Sequence, residues 1–159
     1  MNVSFSTRGW QDKTWETWLE WAETMRFGGI ELYNVQNCPQ LTDRGGALHK
    51  YATAATVRAL REKNLRIPCL DTSCDISSED CTETVRGLIQ LAHDIQCPNV
   101  CVVALHEGEE SVVQALRVLI PEAESAGVTI LLKTSGIFAD TARLRAVLDD
   151  FACDQLGAL

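Results

Sequence analysis

The strongest constraint on the fold of this chain is an alternation of short β-rich runs with longer amphipathic stretches, which repeats about five times. The run over 99–105 is continuously apolar, which is typical of a parallel strand covered on both faces. The stretch over 14–27 instead places apolar residues at helical spacing, in one stripe: Trp15, Trp18, Leu19, Ala22 and Met25. Repeated strand–helix units with short connections form parallel sheets with right-handed crossovers. The pattern therefore predicts an α/β fold with a parallel sheet.

The predicted elements follow one another along a single domain that spans residues 1–159. Strands are predicted over 3–6, 30–33, 66–70, 99–105 and 128–132. Helices are predicted over 14–27, 47–63, 110–126 and 140–151, and a further helix is predicted to start at the capping residues 77–80. Residues 156–159 resemble the beginning of a sixth strand. We therefore expect about five complete strand–helix units and the start of another.

Composition and charge exclude several function classes. The formal net charge of −8 and the lack of a Lys/Arg cluster argue against binding to nucleic acid. No segment approaches the roughly 18 apolar residues of a membrane span, and residues 1–9 lack the apolar core of a signal peptide. The seven cysteines contain no CxxC pair and fit no zinc spacing, so we interpret them as reduced thiols. We therefore predict a cytoplasmic protein without nucleic-acid or membrane partners.

Two architectures contain such repeated units. An open doubly wound sheet suits about 150 residues, whereas a closed eight-stranded barrel typically needs about 250. Length therefore favours the open sheet. However, the turn over 7–11 has neither the Gly-rich phosphate loop nor the acidic pair that families with an open sheet use. The residues alone leave both architectures open.

Three segments resemble the xylose-isomerase-like TIM barrels, in the branch of the sugar-phosphate isomerases and epimerases. Residues 25–32 (Met-Arg-Phe-Gly-Gly-Ile-Glu-Leu) resemble the second strand of that family and the end of the helix before it. Residues 122–136 resemble its fifth strand, and residues 139–144 resemble the start of its next helix. The resemblance implies an incomplete (β/α)8 TIM barrel of about five βα units. It also implies the N-terminal part of a sugar or sugar-phosphate isomerase/epimerase.

The resemblance also bears on metal binding. The fifth strand of the family ends in a glutamate that binds a divalent metal, and Lys133 stands at that position here. The other ligands of the family would lie beyond Leu159, so we predict no metal ligand and no cofactor in this chain. A divalent metal is expected only if residues beyond Leu159 supply its ligands. We therefore expect this chain to be inactive as an isomerase. The alternative is a non-catalytic, barrel-derived module for small-ligand binding or assembly.

Chemistry in a TIM barrel lies at the C-terminal ends of the strands, and several polar residues of this chain are predicted there. The candidates for catalysis are Lys133, Glu31 and His106. The candidates for binding a substrate are Arg8, Asn34, Asp71, Ser73 and Thr134. The expected substrate is a small sugar or sugar phosphate, as the resemblance implies.

The roles of the catalytic candidates stay open at this point. Lys133 can form an ion pair at the barrel rim, replace the metal or bind a substrate anion, or form a Schiff base. Glu31 can orient a substrate hydroxyl or form an ordinary ion pair. His106 can act as a general base or ligand, or be structural.

Five strands of an eight-stranded barrel would leave two strand edges unpaired and the inner face uncovered. Unpaired edges are templates for pairing with another chain. We expect the inner face to be a large apolar patch, which is unusual on a monomer. The sequence therefore predicts a homo-oligomer.

Overall fold

The computed structural model describes residues 3–78, 80–106 and 108–159. Within them, six parallel strands form one sheet in the order β1 to β6. The strands span Ser4–Ser6 (β1), Gly29–Tyr33 (β2), Leu70–Asp75 (β3), Asn99–Val103 (β4), Thr129–Leu132 (β5) and Leu156–Ala158 (β6). The helices span Trp15–Thr24 (α1), Pro39–Thr42 (α2), Thr53–Glu62 (α3), Cys81–Asp94 (α4), Glu109–Ala126 (α5) and Thr141–Phe151 (α6). No helix in these described ranges is long and apolar enough to cross a membrane.

The strand order confirms the predicted α/β class and separates the two architectures. Each strand pairs with its neighbours in the sequence, without the reversal of a doubly wound sheet. Sequential parallel strands joined by helices are the arrangement of a TIM barrel. The structure therefore corresponds to part of a (β/α)8 barrel. The strand start that we expected over 156–159 is β6, which pairs with β5.

The register sorts the side chains of the strands onto two faces. One row is aligned across β2 to β6 and belongs to the hydrophobic core: Leu32, Leu70, Val100, Ile130 and Leu156. The helices supply the other side of that core, with Trp18 of α1 and Leu116 of α5 among its largest fully buried side chains. Successive residues of a strand point to opposite faces. The next residue on each strand therefore lies on the inner face, away from the helices.

The third strand lies further along the chain than the sequence indicates. We predict it over 66–70, but β3 spans Leu70–Asp75. Arg66 makes only an isolated bridge with β2, and Pro68 has no N–H to donate to a strand ladder. The ladder therefore begins after the proline, and the strand extends to Asp75, which the sequence prediction places in a loop.

The second long helix is shorter than predicted. The sequence indicates a helix over 47–63, but α3 spans Thr53–Glu62. The N–H of Leu48 donates to the carbonyl oxygen of Leu41 at 2.8 Å. Gly46 lies so close to Leu41 that a Cβ atom would overlap its carbonyl group. The chain thus turns back onto α2 before α3 begins, and a glycine is needed at that close approach.

The start of α4 is where the sequence predicts it, but its capping differs from the prediction. The sequence predicts capping by residues 77–80, and the helix does begin at Cys81. Asp80 occupies the N-cap position but makes no side-chain hydrogen bond there. The hydroxyl of Ser77 instead donates to Asp75, at 2.5 Å. Glu79 lies outside the described residues.

The predicted N-cap Asp140 is confirmed, because its Oδ1 accepts a hydrogen bond from the N–H of Ala142 at 2.9 Å. An N-cap oxygen satisfies a backbone donor that has no partner inside the helix. Asp140→Ala is therefore expected to lower the free energy of unfolding by about 1 kcal/mol in urea denaturation. Asp80→Ala is the matched control, and it is expected to have a smaller effect. Equal losses in both variants would show that the Asp140 hydrogen bond does not stabilise α6.

Candidate functional site

The inner face gathers several polar side chains that the sequence places at the strand ends. Tyr33 on β2 is aligned with Asp71 on β3, and Asp71 is aligned with Cys101 on β4. Glu31 precedes Tyr33 by two residues, so it lies on the same face. Lys133 follows β5, two residues beyond the partner of Cys101. Because acids, a phenol and a lysine occupy this face, it is not the large apolar patch that we expected.

Lys133 and Asp71 form the central contact of this face. The Nζ atom of Lys133 lies 2.8 Å from Oδ1 and 2.7 Å from Oδ2 of Asp71. The side chain of Asp71 is 6% exposed and that of Lys133 is 22% exposed. A carboxylate so far from water needs a paired charge. Of the roles that the sequence leaves open for Lys133, ion pairing is the one that these contacts support directly.

Two free cysteines, Cys69 and Cys101, neighbour the ion pair. Burial raises the pKa of Cys101 to about 12, and the charges of Asp71 and Glu31 add to this effect while Lys133 opposes it. Burial likewise raises the pKa of Cys69, with smaller contributions from the same two carboxylates. Both groups are therefore protonated thiols at neutral pH, and thiols are poor nucleophiles and poor metal ligands. Glu31 and Asp71 lie on the same face of the neighbouring strands β2 and β3.

A second group of predicted residues surrounds the end of β2. The hydroxyl of Ser73 donates to the hydroxyl of Tyr33 at 3.0 Å, and the guanidinium carbon of Arg8 lies 5.2 Å from the centre of the Tyr33 ring. Asn34 adopts a left-handed backbone conformation, with φ of 54°. Its Oδ1 accepts a hydrogen bond from Nε2 of Gln36 at 3.0 Å. The substrate-binding candidates Arg8 and Ser73 thus contact Tyr33, whereas the N–H of Asn34 donates to the carbonyl oxygen of Asp71 at 2.7 Å.

His106, the third catalytic candidate, contacts a different carboxylate. Its Nδ1 lies 2.5 Å from Oδ2 of Asp75, and its side chain is 77% exposed. The Oδ1 atom of Asp75 accepts hydrogen bonds from the hydroxyl of Ser77 at 2.5 Å and from the N–H of Leu105 at 3.1 Å. The structure therefore brings Lys133 and Glu31 to the same face and gives His106 a separate partner.

Thr134 supports the end of the sheet. Its hydroxyl and its N–H both donate to the carbonyl oxygen of Leu159, each at 2.9 Å. Its hydroxyl hydrogen is therefore committed to the end of β6, and only the lone pairs of that oxygen are available to a ligand.

Sequence reasoning missed two residues that organise these groups. Tyr33 is the last residue of β2 and partners both Ser73 and Arg8. Asp75 is the last residue of β3 and partners His106. A carboxylate at a strand end is a candidate, so Asp75 could have been recognised from the sequence. However, the predicted third strand ended at residue 70, which placed Asp75 in a loop.

The hydrogen bonds of Asp75 give a pH-dependent prediction. Burial opposes its ionisation, but bonds from Ser77, from the N–H of Leu105 and from His106 outweigh burial and lower the pKa of the carboxyl. A carboxyl with a lowered pKa stabilises the fold above its unfolded value of about 4, and this stability is lost as the pH falls through the folded value. Asp75→Asn is therefore expected to lower the free energy of unfolding by about 1–2 kcal/mol at neutral pH. Urea denaturation at neutral and acidic pH should show this difference shrinking below about pH 4. A difference that stays constant over this range would contradict the prediction.

The residues at this face do not fit the divalent metal that the resemblance implies. Both oxygens of Asp71 are bound by the ammonium of Lys133, and His106 is bound to Asp75. In the described part of the chain, no group of three His, Cys, Asp or Glu side chains is arranged to hold a metal ion. A catalytic metal site needs about three such protein ligands.

Solved structures resemble this chain, whereas no family model and no curated protein matches it. The probable 3-DHS dehydratase AsbF from Bacillus anthracis superposes with a TM-score of 0.80 at 18% identity, covering 99% of this chain and 62% of its own. The D-allulose 3-epimerase from Methylomonas sp. superposes with a TM-score of 0.72 at 18% identity, with coverages of 99% and 62%. A xylose isomerase domain protein from Planctomyces limnophilus gives a TM-score of 0.74 at 13% identity, with coverages of 99% and 61%. The chain has the fold of part of a xylose-isomerase-like TIM barrel.

The xylose-isomerase-like fold agrees with the family that the sequence motifs resemble. The chain spans about 62% of the length of the dehydratase and the epimerase, which corresponds to an incomplete barrel. Barrels of this kind place their active sites at the carboxyl ends of the strands. Tyr33, Lys133 and His106 lie at that end of the sheet, whereas Asp71 is the second residue of β3 and lies deeper on the inner face, where Lys133 reaches it.

Proposed function

We propose that this chain provides the β1–β6 part of a sugar isomerase or epimerase type of barrel, and that its inner face binds a small sugar or sugar phosphate. The observation that carries the proposal is the buried Lys133–Asp71 pair on the inner face, with Glu31 on the same face of the neighbouring strand. Among the similar structures are a D-allulose 3-epimerase and a 3-keto-D-glucoside 4-epimerase, which fits a ligand of this class.

The site offers both a donor and an acceptor to hydroxyl groups. The ammonium of Lys133 has three hydrogens, so its two contacts with Asp71 leave one for a ligand oxygen. Glu31 is half-buried on the same face, and an ionised carboxylate accepts hydrogen bonds only. A donor and an acceptor together suit neighbouring hydroxyls of a sugar. Because the charges of Lys133, Asp71 and Glu31 sum to a negative value, a neutral sugar is favoured over its phosphate at this point.

Binding can be tested by titration calorimetry with D-fructose, D-allulose and fructose 6-phosphate. The double variant Lys133→Gln/Asp71→Asn removes both charges but keeps groups that can hydrogen-bond to each other. A hydrogen bond to a charged group contributes about 1.5–3 kcal/mol, so sugar affinity is expected to fall about tenfold or more. The matched control is Lys63→Gln/Glu23→Gln, which removes an exposed ion pair with an Nζ–Oε2 distance of 2.6 Å. Equal affinities in both double variants would contradict the proposed site.

We further propose that the chain binds the sugar without epimerising it. The support is that Lys133 stands where the resemblance implies a metal-binding glutamate, and that the described residues do not fit a metal. Epimerisation at carbon exchanges a C–H proton with solvent, so it can be followed as deuterium uptake by the sugar in D2O. No uptake is expected with or without added Mn2+. Uptake that depends on the protein would overturn this part of the proposal.

The second candidate function is a non-catalytic module for assembly. The observation that favours it is that β1 and β6 form the two edges of the described sheet. Unpaired strand edges can add a strand from another copy of the chain. Sedimentation equilibrium is expected to show a homo-oligomer under this alternative, and a monomer at tens of micromolar would contradict it.

A further inference from the structure

The end of β3 and the loop after β4 form a hydrogen-bonded cluster that the proposed sugar contacts do not use. Oδ2 of Asp75 lies 2.5 Å from Nδ1 of His106. Oδ1 of Asp75 accepts from the hydroxyl of Ser77 at 2.5 Å and from the N–H of Leu105 at 3.1 Å. The N–H of His106 donates to the oxygen of that same Ser77 hydroxyl, at 3.2 Å. Backbone and side-chain bonds together hold the imidazole against the carboxylate.

The contact fixes which nitrogen of His106 carries the hydrogen. An ionised carboxylate accepts hydrogen bonds only, so the hydrogen in this contact lies on Nδ1. In the neutral ring, Nε2 then has the free lone pair. No group within the described residues bonds to Nε2, and the side chain of His106 is 77% exposed while that of Asp75 is 14% exposed. The shielded carboxylate of Asp75 therefore contacts Nδ1 of the exposed His106 ring, and Nε2 of that ring can accept a proton.

We propose that His106 is a general acid–base for the polyhydroxy ligand at the strand ends, and that Asp75 is its positioning residue. Nε2 takes a proton from a ligand hydroxyl and not from a ligand carbon, so the C–H bonds of the sugar stay intact. The imidazolium that forms stays paired with the Asp75 carboxylate, and Nε2 then returns the proton to the ligand. The transfer needs no metal and no oxidant. The presence of a ligand rests on the proposed function, whereas the paired histidine and aspartate can be tested without one.

The other two histidines provide internal controls. Nδ1 of His93 lies 2.8 Å from the carbonyl oxygen of Ala126, so this exposed ring also carries its hydrogen on Nδ1, but against a neutral acceptor. Nδ1 of His49 accepts from the N–H of Tyr51 at 3.4 Å, which places its hydrogen on Nε2. The chain therefore contains one histidine with a carboxylate partner, one with a carbonyl partner and one of the opposite tautomer.

The first test is the tautomer of each ring, from 15N chemical shifts of the full chain labelled at histidine nitrogens. In the wild type above the pH at which the rings protonate, Nε2 of His106 is expected to show the shift of an unprotonated nitrogen. Ser77→Ala leaves the His106–Asp75 contact in place, so the tautomer is expected to stay the same. Asp75→Asn is expected to shift the signals towards the other tautomer. A wild-type His106 with its hydrogen on Nε2 would overturn the proposal.

The second test is the reactivity of Nε2 towards diethyl pyrocarbonate, measured for each histidine by mass spectrometry of peptides. The nitrogen attacks a carbonyl carbon of the reagent, and the ethyl carbonate that leaves decomposes to ethanol and CO2. His106 is expected to react faster than His93, because the carboxylate makes its Nε2 more electron-rich. Asp75→Asn is expected to abolish that excess rate while His93 and His49 react as before. Equal rates for His106 and His93 in the wild type would contradict the proposal.

The two tests separate this inference from the proposed function. A sugar that fails to bind, together with a fast-reacting His106 of the expected tautomer, would contradict the proposed sugar site alone. A sugar that binds, together with a His106 that resembles His93, would contradict the acid–base assignment alone.

Discussion

Lys133→Met is expected to lower the free energy of unfolding by about 3 kcal/mol, because it leaves the Asp71 carboxylate buried without a cation. The side chain of Asp71 is 6% exposed and both of its oxygens are bound by Lys133. Urea denaturation followed by tryptophan fluorescence measures the change, since Trp18 lies in the core. The loss comes from the unpaired charge and not from the missing ammonium itself.

The double variant Lys133→Met/Asp71→Leu separates these two causes. Replacing both members of a buried ion pair by apolar residues of similar size is often neutral or stabilising. The double variant is therefore expected to recover most of the stability that the single variant loses. Lys63→Met is the control for removing an ammonium, because its exposed pair with Glu23 is worth about 0–1 kcal/mol. A single variant at Lys133 as stable as the control would show that Asp71 is not buried as described.

The second large effect is expected at Gly136, which follows β5 and shapes the loop after Lys133. Gly136 has φ of +59°, and a Cβ atom there would overlap the carbonyl group of Ala104, the residue after β4. Gly136→Ala is expected to lower the free energy of unfolding by about 1–2 kcal/mol for the left-handed backbone and by about 1–3 kcal/mol more for the overlap. Denaturation with urea measures the sum.

Gly127 is the matched control for this substitution. It ends α5 with φ of +66°, but no atom lies within 4 Å of the position that a Cβ would take. Gly127→Ala therefore reports the cost of the left-handed backbone without the overlap. A loss at Gly136 no larger than the loss at Gly127 would show that the loop after β5 yields to a methyl group.

Much of the fold could be predicted because its signals are local. The apolar run over 99–105 contains β4, and the helical stripe of 110–126 ends at Gly127, the C-cap of α5. Each of these elements depends on the spacing of a few neighbouring residues. Local spacing fails for the third strand, which was predicted over 66–70 but begins only after Pro68, at Leu70. The start of β3 depends on which backbone groups of the neighbouring strand are available for hydrogen bonds, and local spacing does not contain that information.

The site was less predictable because its contacts are distant in sequence. Lys133 and Asp71 were both candidates, but they are separated by 62 residues and meet only through the register of β3, β4 and β5. The pairing of His106 with Asp75 spans 31 residues and depends on the true end of β3. Residue type and position at a strand end thus identify candidates, whereas the tertiary register decides which of them are partners.

The inner face around Lys133, Asp71 and Glu31 is proposed to bind a small sugar. A 1H–15N correlation spectrum of the chain, titrated with D-fructose and D-allulose, tests it most directly. Saturable shifts are expected at the carboxyl ends of β2 and β5 and around Asp71 in β3, and they are expected to be lost in Lys133→Gln/Asp71→Asn. Saturable shifts confined to another surface, such as the apolar cleft at Phe5, Trp21 and Met25, or no shifts at all, would contradict it.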